Sequence, residues 1–140
     1  MDILEQLKHY RPQNPQEQQD LSEILRRLQQ GEALYDREQP AHFTASAWVV
    51  SPDRTQVLLA YHNLYDSWAW LGGHADGNWD LQAVAAREAL EESGISRVFP
   101  LGEGPISLEI LTVSGHEKKG SYVSSHLHLN LTYLFEAEET

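Results

Sequence analysis

The sequence predicts a single domain that combines α-helices with β-strands. Its 140 residues fall within the usual size of one domain. The first forty residues are rich in Gln, Glu, Arg and Leu, whereas β-branched and aromatic residues separated by turn residues begin at His42. We therefore expect a helical N-terminal extension over residues 1–40 and a strand-rich domain over residues 41–140.

Charge and cysteine content exclude several classes of function. Ten Lys and Arg against 21 Asp and Glu give a net charge of −11, which repels phosphate backbones. We therefore expect no nucleic-acid polymer as a partner. The absence of cysteine excludes disulfides and thiolate chemistry. With no leader-like start and no run of 18 apolar residues, the chain is expected to be cytoplasmic and not membrane-bound.

Two helices are predicted in the N-terminal extension. Asn14 is a good N-cap, Pro15 suits the first helical position, and Gly31 suits the C-terminal stop. The apolar residues between them repeat at helical spacing: Leu21, Ile24, Leu25 and Leu28. We expect one helix over about 15–30 and a shorter one over 2–10.

Strands are predicted on both sides of a third helix. A hairpin is expected before it, and a short strand then enters Gly72-Gly73. The predicted hairpin strands are 43–50 and 56–62, and the short strand is 68–71. The extended stretches expected after the helix are 97–100, 106–114 and 122–136.

The third helix is expected between an N-cap at Asp80 and a stop at Gly94. Three of its side chains, Glu88, Glu91 and Glu92, share one face. Like charges at this spacing repel one another and oppose the negative end of the helix dipole. Arg87 is expected to point away from the middle of this cluster, so that local ion pairs do not neutralise it. A divalent hard cation would offset the repulsion, and the alternative is a solvated acidic face.

One long spaced pattern resembles a known family. The Nudix box is G-x5-E-x7-R-E-U-x-E-E-x-G-U, and this chain has Gly73-x5-Trp79-x7-Arg87-Glu88-Ala89-Leu90-Glu91-Glu92-Ser93-Gly94-Ile95. Trp79 replaces the first glutamate, and Ala89 is a small occupant of the aliphatic position. The resemblance to Nudix hydrolases implies an α/β/α sandwich with a mixed sheet over residues 41–140. It also implies hydrolysis of a nucleoside diphosphate linked to another group.

The resemblance assigns roles to residues of the box. Glu88, Glu91 and Glu92, with the Gly72 carbonyl, would bind Mg²⁺ or Mn²⁺, and water would attack a phosphorus atom. Glu88 and Glu91 would then be catalytic. Because Trp79 replaces the glutamate that commonly pairs with the box arginine, Arg87 would need Asp76 or Asp80 as its partner, or the loop before the helix would be mobile.

Outside the box the candidates have plainer alternatives. Glu117 is the only carboxylate of the polar loop 115–120, so it is either the general base or a residue of an ordinary turn. Lys118 and Lys119 would contact phosphate or serve solvation. His74, beside the glycines, is a candidate for substrate binding, as is Arg87.

Two further groups of side chains are weaker candidates. His126 and His128 lie on one face of a predicted strand, where they would bind metal or phosphate or make ordinary hydrogen bonds. Four aromatic residues would stack on a planar group or belong to the core: Tyr61, Tyr65, Trp68 and Trp70.

The C-terminal strand and helix usual in Nudix domains are expected to be absent, because the sequence ends after the stretch 122–136. We expect apolar residues on both faces of the sheet, which then needs two covers. The helix around Leu21–Leu28 would supply one of these covers. Alternatively, a second copy of the chain in a homodimer would supply that cover, or the chain is a fragment of a longer protein. Two functions remain: a diphosphate hydrolase, and a nucleotide-binding or sensor module with little catalysis.

Overall fold

The structure of the protein is a computed structural model. It describes residues 2–58, 60–62, 67–69, 71–95, 97–118 and 120–137. Within these ranges the helices are α1 Ile3–His9, α2 Pro15–Gln29 and α3 Leu81–Ser93. The strands are β1 Ala41–Val50, β2 Val57–Leu58, β3 Ala60–His62, β4 Ser67–Ala69, β5 Leu71–His74, β6 Val98–Pro100, β7 Ser107–Val113, β8 His116–Lys118, β9 Ser121–Val123 and β10 His126–Ala137.

Both predicted N-terminal helices are confirmed, together with the cap of the longer one. The Asn14 side chain accepts a hydrogen bond from the Glu17 backbone N–H at 2.8 Å, with Pro15 at the first helical position. Asp2 caps α1 in the same way through the N–H of Glu5. No helix in the described ranges is long and apolar enough to cross a bilayer.

The main sheet is mixed, as predicted, and is built around β1 and β10. These two strands run parallel over ten residue pairs, from Ala41 opposite Leu127 to Val50 opposite Glu136. On the other edge of β1, β2 and β5 pair antiparallel, and β6 and β7 pair antiparallel with β10. The α/β class of the fold is therefore confirmed.

One face of this sheet carries the apolar core. Successive side chains of a strand point to opposite faces, so alternate residues of β1 and β10 share this face. The buried residues on it are Phe43, Ala45, Ala47, Val49, Leu129, Leu131, Tyr133 and Phe135. All three helices contribute to the same core, through Leu7, Leu21, Ile24, Leu81, Val84, Ala85 and Ala89. The helix over Leu21–Leu28 therefore covers the same face of the sheet as α3.

The opposite face of the central strands is polar, so the expectation of apolar residues on both faces is wrong for β1 and β10. Its buried members are His42, Thr44, Ser46, Asn130 and Thr132. The hydroxyl groups of Thr44 and Ser46 both donate to Asn130 Oδ1, each at 2.9 Å. Buried polar side chains need hydrogen-bond partners, and these two bonds supply them for Thr44 and Ser46.

One predicted element differs from the observed ones, and another is described in two parts. Within the described residues, the returning strand 56–62 comprises β2, which pairs with β1, and β3, which pairs with β4. The predicted loop 115–120 is a hairpin of β8 and β9, turning at Gly120 with φ +81°. The stretch 122–136 is correspondingly broken between β9 and β10.

Helix α2 also closes the outer edge of β7. Two buried carboxylates of this helix, one turn apart, accept backbone N–H groups of the strand: Glu17 from Leu108 at 3.4 Å and Asp20 from Ile110 at 3.1 Å. Glu17 additionally accepts the Tyr10 hydroxyl at 2.7 Å. Unpaired edge groups invite association with other strands, and these two side chains satisfy them within the chain.

The contacts of Glu17 generate a prediction about stability. Replacing Glu17 with Ala removes the acceptor for buried donors, which should lower the free energy of unfolding by about 2 kcal/mol. Urea unfolding measures the loss. The exposed neighbour on the same helix, Gln19→Ala, should change stability by less than about 0.5 kcal/mol. Equal effects of the two substitutions would contradict the role assigned to Glu17.

Candidate functional site

Helix α3 begins and ends where the sequence predicts. Asp80 Oδ1 accepts the Ala83 N–H at 3.1 Å, and Gly94 ends the helix with φ +77°, a left-handed conformation that favours glycine. The buried residues of α3 are Leu81, Val84, Ala85 and Ala89, and the helix packs on β1 and β5. Its position relative to the glycines of β5 is therefore fixed by core packing.

The glycines of β5 contact two of the three glutamates. The Gly72 N–H donates to Glu92 Oε1 at 3.1 Å. A Cβ atom added to Gly73 would lie 2.6 Å from Glu88 Cδ. Only glycine permits this approach of the Glu88 carboxylate to the strand. The structure thus brings together Gly72, Gly73, Glu88 and Glu92.

The orientation of Gly72 bears on its predicted role as a carbonyl ligand. Gly72 lies opposite Ser46 of β1, yet its N–H is turned away from β1 toward Glu92. In an antiparallel pair both backbone groups of a residue face the same edge of its strand. The Gly72 carbonyl therefore faces the edge at which the Glu92 carboxylate lies.

The three carboxylates interact unfavourably with one another. Burial raises the pKa of Glu88, and the charges of Glu92 and Glu91 raise it further. The Glu88 side chain is 21% exposed, whereas that of Glu91 is 63% exposed. The cluster therefore combines one largely desolvated carboxylate with a solvent-facing one, and it favours binding of positive charge.

The expectation that Arg87 points away from the glutamates is wrong. Its guanidinium lies 3.7 Å from Glu88 Oε1 and 4.0 Å from Glu91 Oε1. The second contact follows from the helical spacing of four residues. Both pairs are long and Arg87 is half exposed, so each contributes little stability. Arg87 therefore offsets part of the negative charge of the glutamates.

The two alternative partners proposed for Arg87 have other roles. Asp76 forms a two-point ion pair with Arg37, whose Nε donates to Asp76 Oδ1 at 2.7 Å, and the guanidinium lowers the pKa of Asp76. Asp80 caps α3. The loop before α3 is thus tied to the segment before β1 by a contact that sequence reasoning missed, because nothing local links residues 39 positions apart.

A cavity of about 980 Å³ lies beside this loop. Its lining includes Tyr35, Arg37, Asp76 and Trp79. Trp79 is 77% exposed, and its ring centroid lies 6.3 Å from that of Tyr35. The residue that replaces the first glutamate of the motif therefore presents an aromatic surface to a cavity at the N-terminal end of α3.

Other predicted site residues lie elsewhere. Glu117 is exposed in β8, opposite Tyr122 of β9. Lys118 lies in β8, but its side chain is outside the described part of the chain, as are those of Tyr61 and Trp68. The candidates wholly outside the described residues are Tyr65, Trp70 and Lys119.

His74 lies with other histidines on the polar face of the sheet. Its ring centroid is 5.3 Å from that of His42 and 5.1 Å from that of His128. The ring of His126 is 4.9 Å from that of His128. Burial lowers the pKa of His128 to about 4, with the charges of its histidine neighbours adding to the effect, and burial also lowers that of His42. The sequence indicated three of these residues but missed His42.

No protein-family model matches the sequence, and neither does any curated protein at a significant level. The structure is similar to that of a NUDIX-family hydrolase from Clostridium perfringens, at 23% identity and a TM-score of 0.48, over 70% of this chain and 68% of that one. It is also similar to an Ap4A hydrolase of C. elegans, at 21% identity and a TM-score of 0.45, over 69% of this chain and 68% of that one.

A mutator MutT protein from Bacillus halodurans is similar at 22% identity and a TM-score of 0.39. That match covers 69% of this chain and 56% of the other. All three identities are below 25%.

The contact between Gly73 and Glu88 generates a prediction. In Gly73→Ala the added Cβ should displace the Glu88 carboxylate toward solvent, which lowers its pKa because burial is the main cause of its elevation. NMR titration of the glutamate carboxyl carbons in the presence of a chelator measures this shift. Stability should change little, since a flexible side-chain end yields to the methyl group.

Gly104→Ala is the matched control, because a Cβ at Gly104 meets nothing within 4 Å. This substitution should leave the Glu88 titration unchanged. An unchanged Glu88 pKa in Gly73→Ala, accompanied by a large loss of stability, would show that the backbone moves instead of the carboxylate.

Proposed function

We propose that this protein is a metal-dependent hydrolase that cleaves the diphosphate linkage of a nucleoside diphosphate joined to another group. The observation that carries the proposal is the packing of the Glu88 carboxylate against Gly73 within reach of the charges of Glu91 and Glu92. Repulsion among three neighbouring carboxylates is unfavourable, and a bound cation would offset it.

The donor set fits Mg²⁺ or Mn²⁺. All the candidate ligands are oxygen atoms: the carboxylates of Glu88, Glu91 and Glu92 and the carbonyl of Gly72. When bound, the cation supplies neutralisation of the diphosphate charge and lowers the pKa of a water molecule. A net charge of −11 would otherwise repel such a substrate.

The chain's own residues then bind and orient the substrate. Arg87, half exposed beside Glu88, donates to phosphate oxygens, with Lys118 as a second cation. Glu91 and Glu117 are both exposed and are the candidates to accept a proton from the attacking water. Positioning and charge stabilisation supply most of the acceleration in this type of displacement.

The exposed side chain of Trp79 is the observation that favours a nucleoside as part of the substrate. A base or another planar group placed in the neighbouring cavity can stack on its indole ring, next to Tyr35. The same residue supports the alternative function, a nucleotide-binding or sensor module, because it occupies the position of the first motif glutamate.

Hydrolysis is tested with a panel of nucleoside diphosphate derivatives in the presence of Mg²⁺, following release of a monophosphate. Glu88→Gln and Glu92→Gln should each lower kcat by about 100-fold or more, because each replaces a charged oxygen ligand of the cation with a neutral amide. Glu103→Gln, a carboxamide substitution at an exposed glutamate outside the motif, should keep full activity.

The outcomes separate the two functions. Mg²⁺-dependent turnover that both motif substitutions abolish supports the hydrolase. Nucleotide binding by the unaltered chain without turnover of any diphosphate compound supports the binding module and overturns the hydrolase.

Stacking on Trp79 predicts a specific kinetic change. Trp79→Ala should raise KM by about 10-fold, in keeping with the contribution of one base–aromatic contact, while kcat changes little. Phe99→Ala removes an exposed aromatic residue on β6 and should alter neither constant. A fall in kcat with constant KM would mean that Trp79 supports the acidic helix and does not contact the substrate.

A further inference from the structure

Three neighbouring strands place histidines at one point on the polar face of the sheet. His42 of β1 lies directly opposite His128 of β10, and His74 of β5 lies opposite Thr44, on the same face as His42. One ligand nitrogen from each of the three histidines lies within 4.8 Å of the other two. We propose that His42, His74 and His128 bind a divalent transition-metal ion such as Zn²⁺ at a site separate from the glutamates.

The clearest sign of a missing partner is at His42. Its side chain is 2% exposed, and its Nδ1 lies 3.0 Å from the carbonyl oxygen of Gln39. Because a carbonyl only accepts, Nδ1 carries the proton and Nε2 presents a lone pair. Within the described residues this buried Nε2 has no hydrogen-bond partner. Burying an unsatisfied polar atom is unfavourable, and a metal ion would satisfy it.

The contact with Gln39 also has the form of a support for a metal ligand. Histidines that bind metals usually donate their second ring N–H to a carbonyl or carboxylate, which fixes both tautomer and ring orientation. His126, on the same strand as His128, is held similarly, with Nδ1 2.8 Å from the Ser124 carbonyl oxygen. Its Nε2 is therefore unprotonated and accepts a hydrogen bond from His128 Nε2–H at 3.1 Å. This bond makes His126 a positioning residue and leaves Nδ1 of His128 as the nitrogen that binds the metal ion.

The distances suit a tetrahedral ion. Zinc–nitrogen bonds of about 2.0–2.1 Å require ligand atoms about 3.4 Å apart. Three nitrogens within 4.8 Å of one another reach that spacing when each moves inward by less than about 1 Å. Three imidazoles leave the fourth position to water or another ligand.

The chemistry of the donors separates this site from the acidic one. Neutral imidazole nitrogens suit zinc, cobalt, nickel and copper, whereas carboxylate and carbonyl oxygens suit magnesium and manganese. The two sites lie on opposite faces of β5: Gly73 approaches Glu88, while the next residue, His74, contacts His42 and His128. Two different cations can therefore bind without competing.

Cobalt and zinc titrations test the site directly. Protein stripped with a chelator is titrated with Co²⁺ in excess Mg²⁺, which keeps the glutamates occupied, and Zn²⁺ then competes. The expected result is one equivalent of Co²⁺ with the intense visible bands of four-coordinate cobalt, displaced by Zn²⁺. His74→Gln and His128→Gln should each weaken binding by about 100-fold.

Two controls make the outcome decisive. His9→Gln removes a histidine of α1 whose Nδ1 also contacts a backbone carbonyl oxygen, and it should bind Co²⁺ as the unaltered chain does. Glu88→Gln should lose Mg²⁺ affinity but retain cobalt binding, so the failure of one site is distinguished from the failure of the other. Thermal unfolding in the presence of a chelator shows which variants are folded. One folded variant, His74→Gln or His128→Gln, is enough to test the histidine site.

Absence of the visible bands, or equal Co²⁺ affinity in the unaltered chain and a folded His74→Gln or His128→Gln variant, would overturn the histidine site.

Discussion

The parallel pairing of β1 with β10 is the constraint on which the rest of the structure depends. Ten residue pairs in a single register place Phe43, Ala45, Leu129 and Leu131 on one face and His42, Thr44, His128 and Asn130 on the other. A slip of one residue would exchange the two faces, since side chains alternate along a strand. The helices and the acidic site belong to the apolar face, and the histidines belong to the polar one.

Strand β5 divides its residues between the two faces by the same alternation. Gly73 lies opposite Ala45 and approaches Glu88 of the helix, while His74 lies opposite Thr44 and approaches the histidines. One short strand therefore borders two groups of potential ligands. Because one group offers oxygen atoms and the other nitrogen atoms, their chemistry is distinct despite their proximity.

The sequence predicted the elements whose signals are local. The N-caps of helices α2 and α3 are Asn14 and Asp80, as the sequence predicts. Long-range contacts could not be predicted in this way. Arg37 finds Asp76, and His42 finds His128, because distant segments pair, and no local pattern specifies which strands become neighbours.

One signal of the polar face was nevertheless present in the sequence. His, Thr and Ser alternate with apolar residues at 42–46, and His, Asn and Thr do so at 128–132. Each stretch alone is typical of a strand with one solvated face. Only the parallel register shows that both polar rows share one face and are largely buried together. In that buried setting, His42 Nε2 has no hydrogen-bond partner among the described residues.

Anomalous X-ray diffraction from crystals grown with Mn²⁺ and a non-hydrolysable diphosphate analogue tests the central claim most directly. A manganese peak among the carboxylates of Glu88, Glu91 and Glu92, in contact with the analogue, is the predicted result. An analogue bound to the protein while those three carboxylates hold no manganese would contradict it.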